Sequence, residues 1–143
     1  MAAAKVSFHI DGTRIEAAEA VFAMNAQRTD LGIPKMELPV VSLRVKVNLN
    51  DEKACSFQTI KKLFDLTTAT NKKDRIKAIK VEYWKDLSMQ DPVCTYSFQG
   101  WISSFRTSNV GGEDGNGNYN HYLDIEVFPD STEGRYQEIK IGN

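Results

Sequence analysis

Apolar and polar residues alternate along most of this chain with a period of two. That period predicts strands. In residues 5–10, Val6, Phe8 and Ile10 fall on one side, and Asp11-Gly12 follows as a hairpin-type turn signal. Residues 40–50 carry the clearest pattern. Val41, Leu43, Val45, Val47 and Leu49 face one way, against Ser42, Arg44, Lys46 and Asn48. This is a half-buried antiparallel strand with one wet or partner-facing side. Residues 75–85 place Ile79, Val81 and Tyr83 on one face. Residues 93–107 place Cys94, Tyr96, Phe98, Gly100 and Ile102 together, with Trp101 and Phe105 pointing the other way and Gly100 as a candidate bulge or bend. In residues 120–128, His121, Leu123, Ile125 and Val127 oppose Tyr122, Asp124, Glu126 and Phe128, and Pro129 stops the strand. A turn around 131–134 precedes a short final strand with Tyr136, Ile139 and Ile141.

Three segments break the rhythm. Residues 14–28 fit two templates. Their alanines favour helix by propensity, whereas Ala18, Ala20, Phe22, Met24 and Ala26 share a face at period two. The Asp-Gly turn behind them favours an antiparallel return, so a strand is expected. Residues 29–39 hold Gly32, Pro34 and Pro39, which interrupt regular structure. Yet Leu31, Ile33, Met36 and Leu38 make this loop apolar. It either folds back on its own barrel or packs on a neighbour. Residues 52–69 change period to that of a helix. Phe57, Ile60, Leu63 and Phe64 form the stripe, Asn50 or Asp51 serves as cap, and Thr67 to Asp74 ends it. A flexible loop is expected at 108–119.

The fold class that follows is mainly β: a small antiparallel β-barrel of two packed sheets, with one α-helix at about 52–69. The chain has 143 residues, which suits a single domain over 1–143 with a core of its own. Net charge is −1, which disfavours a strongly basic nucleic-acid binder. No apolar run approaches the length of a membrane-spanning helix. The first residues lack the pattern of a secretory signal, so a cytoplasmic protein is expected unless a dedicated machine exports it.

Candidate chemistry is thin. Cys55 and Cys94 form no metal knuckle, and Cys94 reads as a buried free thiol. His9 and His121 sit in predicted strands without partners at ligand spacing. No nucleophile elbow or phosphate loop is present. Asp114, Asn116 and Asn118 imitate the start of a calcium loop, but Tyr119 replaces the required glycine and Ile125 the closing acid. Asp124 and Glu126 share a strand face, the usual place for solvated charge. Catalytic, cofactor and metal sites are accordingly not assigned.

The order of elements is more restrictive. Val6-Ser-Phe-His-Ile-Asp-Gly12, the strand Val41–Leu49 leading to the helix Cys55–Thr68, the pair Ile76–Tyr83 and Tyr96–Ser104, and Tyr122–Phe128 together resemble one family over nearly the whole chain. It is the Hcp tube protein of type VI secretion systems, with the related tail-tube proteins of contractile phages and phage-like injection devices. The resemblance implies a structural protein, not an enzyme. Such subunits form hexameric rings that stack into a tube, which a contracting sheath drives, spike first, through a target membrane. Effectors can ride in the lumen. The implied partners are other copies of the chain, spike and sheath or baseplate proteins, and effectors, with no cofactor. Nucleic acid is expected only for a phage tube. The protein would be cytoplasmic and exported by its machine.

Within that resemblance, Leu31, Ile33, Pro34, Met36 and Leu38 are the expected ring interface. Ser42, Arg44, Lys46 and Asn48 are the expected lumen row. Glu113, Asp114, Asn116, Ile139 and Ile141 are the expected stacking contacts between rings. Two other readings compete: a contractile-phage tail tube, and a monomeric β-barrel carrying a small apolar ligand.

Overall fold

The computed structural model describes residues 6–35, 39–50, 53, 55–86, 88–109, 121–130 and 140–142. Eight strands and two helices are described: β1 (Val6–Ile10), β2 (Thr13–Ala17), β3 (Glu19–Asn25), β4 (Val40–Asn48), α1 (Phe57–Thr68), α2 (Lys72–Arg75), β5 (Lys77–Trp84), β6 (Pro92–Ser108), β7 (Tyr122–Pro129) and β8 (Lys140–Gly142). The ambiguous segment 14–28 is strand, as expected.

All the strands belong to one antiparallel sheet in the order β2-β1-β5-β6-β7-β4-β3, with β8 added on β6. The two edge strands are consecutive pieces of chain, separated only by Ala18. The β2 half pairs with β1 and the β3 half with β4. At the break, the Ala18 amide donates to the Lys46 carbonyl at 2.8 Å. A single bent strand thus serves both edges and curls the sheet on itself. The two layers anticipated from the sequence are halves of this one hydrogen-bonded sheet. Contacts across the interior bear this out. Phe22 of β3 stacks on Tyr96 of β6 with ring centres 4.0 Å apart, and Tyr83 Oη of β5 donates to the Ala20 carbonyl at 3.1 Å.

The inward set follows the period-two reading. Phe8, Ile10, Ile15, Leu43, Val45, Ile79, Val81, Ile102, Leu123 and Ile125 are buried and fill the interior. Phe105 departs from expectation. A bulge lies between Ile102 and Ser104, so that Ser103 has no partner in the ladder. Its Oγ donates to the Glu126 carbonyl at 3.1 Å. The extra residue reverses the alternation. Phe105 therefore sits opposite Ile125 and packs against the core. Gly100, by contrast, pairs regularly with Lys77 and Pro129. It is no bulge but a place of close approach, where a Cβ would lie 2.6 Å from the Phe128 carbonyl oxygen.

Helix α1 is shorter than predicted. Ser56, not Asn50 or Asp51, caps it, its Oγ accepting from the Thr59 amide at 3.3 Å. The reason lies at the end of β4, where the Asn48 side chain accepts from the Asn50 amide at 2.9 Å and holds a turn. The buried stripe is also rotated. Leu63 and Leu66 are buried, with Ile60 packed beside them, whereas Phe57 and Phe64 lie outside. Asn71 begins a further helical turn, α2, accepting from the Asp74 amide at 2.8 Å. Lys62 ties α1 to the β1–β2 turn, with Nζ donating to Thr13 Oγ1 at 2.6 Å and lying 3.6 Å from Asp11 Oδ2.

Candidate functional site

The described surface offers three features at which function can act: a polar sheet face, a projecting arm and an exposed helix stripe. The polar face is the side of β3, β4, β7 and β6 turned away from the core. Its geometry follows from strand register. One row crosses Glu19, Lys46, Asp124 and Arg106, and the next crosses Val21, Arg44, Glu126 and Ser104. Charges thus alternate in sign between neighbouring strands, an arrangement that favours cross-strand pairing. Arg44 Nε lies 2.9 Å from Glu126 Oε2, and Lys46 Nζ lies 4.9 Å from the centre of the Tyr122 ring. The expected lumen residues Ser42, Arg44, Lys46 and Asn48 all belong to this face. The acids Asp124 and Glu126 face basic partners here and do not converge on a cavity.

The arm grows out of the end of β3. Lys35 N donates to the Gln27 carbonyl at 3.0 Å, Thr29 N to the Ile33 carbonyl at 2.8 Å, and Gly32 N to the Thr29 carbonyl at 2.9 Å. Arg28 and Pro34 form a β-bridge, and Ile33 N donates to Thr29 Oγ1 at 3.1 Å. Gly32 has φ +82°, a conformation that glycine adopts without strain. Leu31 is 88% exposed and Ile33 57%. Of the two readings of this loop, folding back on its own barrel does not describe residues 28–35. Met36 and Leu38 lie outside the described residues.

The third feature escaped the sequence reading. Phe57 is 74% exposed and Phe64 52%, and Lys61 between them is exposed as well. These three positions share one face of α1. Phe64 meets the edge of Phe105 with ring centres 5.8 Å apart. The repeat of phenylalanine at i and i+7 around a lysine was the available signal. Apolar periodicity alone does not separate it from the core stripe, because it does not say which side of a helix faces the sheet.

The remaining expected site residues divide. Glu113, Asp114, Asn116 and Ile139 lie outside the described residues, and Ile141 stands exposed on β8 opposite Tyr96. Cys94 is only half-buried, so the buried free thiol is Cys55 instead. Burial pushes the Cys55 thiol up to about 11, which keeps it protonated and unreactive near neutrality. His9 Nε2 sits 2.6 Å from Glu82 Oε1, and Lys80 Nζ approaches the same oxygen at 3.7 Å. His121 is exposed and offers its carbonyl to the Leu49 amide at 2.9 Å. Among the described residues no group of three or more His, Cys, Asp or Glu side chains is placed to hold a metal. No helix among them is long and apolar enough to cross a membrane.

No family model and no curated protein matches the sequence. Solved structures do share the fold. Hcp1 from Flavobacterium johnsoniae superposes with a TM-score of 0.61 at 12% identity, covering 96% of this chain and 94% of that one. The tube-terminating cap of an anti-feeding prophage gives 0.58 at 10% identity, over 97% and 88% of the two chains. The sheath/tube terminator of an extracellular contractile injection system gives 0.56 at 11% identity, over 97% and 94%. The chain therefore has the fold of Hcp and of tube terminators from contractile injection systems.

Proposed function

We propose that this chain is a structural subunit of the inner tube of a type VI secretion system or a related contractile injection device. Its copies form hexameric rings, the rings stack, and the lumen carries effector proteins. One observation carries the reading: the fold is shared with an Hcp protein over nearly the whole of both chains. The surface is in keeping with it. A firm arm tipped by Leu31, Ile33 and Pro34, with Met36 and Leu38 following in sequence, is suited to reach a ring neighbour. The row Ser42, Arg44, Lys46 and Asn48 gives a wet wall for the lumen. Glu113, Asp114, Asn116, Ile139 and Ile141 are assigned to contacts between rings. The remaining partners are the spike, the sheath or baseplate, and effectors. The protein is made in the cytoplasm and leaves through its machine.

Native mass measurement with negative-stain imaging of the same fraction tests this. Hexameric rings with a central hole are expected. A monomer that persists at high concentration overturns the reading and favours a small-ligand carrier. A tube-terminating role is the second reading, because two of the fold matches are terminators. The images separate the two: a tube subunit lengthens into stacks with concentration, whereas a terminator stops at a single ring.

A further inference from the structure

We infer that the Phe57–Lys61–Phe64 stripe of α1 is the seat for the arm of a second copy of this chain. The inference rests on the tube reading and adds to it the surface that receives the arm.

Exposure comes first. Phe57 and Phe64 are the two largest exposed apolar side chains among the described residues, and Leu31 is the most exposed of all such groups. Phe64 is held from behind by Phe105 and leaves its outer side open, so the seat is backed by the core. The arm is equally prepared. Four hydrogen bonds fix its turn, so little ordering is needed on docking.

Charge points the same way. Asp30 precedes Leu31 at the arm tip, and Lys61 lies between the two phenylalanines on the seat. Neither makes an ion pair with another described residue. An apolar tip flanked by an acid therefore meets an apolar stripe interrupted by a base. Such a pair fixes register more than it adds affinity.

Placement decides between copies. The arm leads into the start of β4, and α1 follows its far end. Leu31 is 88% exposed and touches little of its own subunit, while α1 packs on β6 and the β1–β2 turn. The contact is therefore head to tail between different surfaces of neighbouring copies, the kind that closes into a ring when its rotation allows.

Charge reversal tests the seat. Asp30→Lys and Lys61→Asp are each expected to weaken assembly about tenfold, read as the concentration at which the native mass changes. The double variant Asp30→Lys/Lys61→Asp is expected to restore it. A second measurement uses proximity, in a Cys94→Ser background. Leu31→Cys protein mixed with Phe64→Cys protein is expected to give a disulfide-linked dimer under mild copper-phenanthroline oxidation. If the unaltered protein assembles while the double variant is not restored and no mixed dimer forms, the seat is wrong and the tube reading stands. If the unaltered protein stays monomeric, both fall.

Discussion

At the scale of single residues, the tightest constraint lies at Gly100. An added methyl group would meet the Phe128 carbonyl oxygen at 2.6 Å, Phe98 Cε2 at 2.8 Å and Ile79 Cδ1 at 3.0 Å. The first of these belongs to the backbone of β7, paired alongside, and cannot swing away. Gly100→Ala is therefore expected to cost about 2 kcal/mol, measurable as a lower urea midpoint with an unchanged slope. The Cys55 thiol adds a pH dependence. Burial raises it from an ordinary value of 9.0 to about 11, so between those values the folded state binds more protons than the unfolded one. Its contribution is complete below about pH 9 and declines as pH rises toward 11. Tyr83, also held up by burial, acts in the same direction at its own higher range. Cys55→Ala is expected to show a shallower fall in denaturation midpoint across pH 9 to 11 than the unaltered protein. A parallel fall in both would refute this account of Cys55.

At the scale of elements, strands were readable wherever one face was buried. Val41 to Val47 and Leu123 to Val127 alternate because the sheet faces core on one side and water on the other. The helix was readable as an element but not in its start or its orientation. Asn50 and Ser56 are both acceptable caps, and only the turn held by Asn48 decides between them. Replacing Ser56 with alanine is expected to destabilise the protein by about 1 kcal/mol, seen as a lower melting temperature. Phe105 illustrates a second limit. Its side depends on one unpaired serine at 103, and a bulge leaves no mark on composition. Trp101, two residues before that bulge, keeps the outer face that alternation predicts, and there Arg75 covers its ring at 4.7 Å.

At the scale of the whole molecule, assembly and folding make separate demands on the sequence. Ile33 is 57% exposed, so Ile33→Asp is expected to leave the melting temperature within about 0.5 kcal/mol of equivalent stability while abolishing hexamers. A ring that survives this change would remove the arm from the interface. Arg44 is a similar case on the sheet face. Its pair with Glu126 is exposed on the arginine side and contributes little to stability. Arg44→Glu is therefore expected to preserve fold and ring while altering the loading of a passenger protein, measured by co-purification. The order of elements conveyed the architecture because one helix between strand groups restricts the topologies available. The interface seat on α1 was hidden because burial and assembly both recruit apolar residues at helical spacing, and only the packed structure divides Leu63 and Leu66 from Phe57 and Phe64.

The bent strand shared by both sheet edges also sets a schedule for synthesis. Phe8 pairs with Val81, which the ribosome adds 73 residues later. At roughly 5–20 residues per second, that interval is about 4–15 s. Meanwhile β3 and β4 are close enough in the chain to pair early, and they pin the second half of the bent strand first. The nascent protein therefore waits with Val6, Phe8, Ile10 and Ile15 uncovered, although all four are interior in the finished barrel. An uncovered β1–β2 hairpin is a natural substrate for a holding chaperone. The supply of folded chains then depends on how fast β5 and β6 emerge to release it.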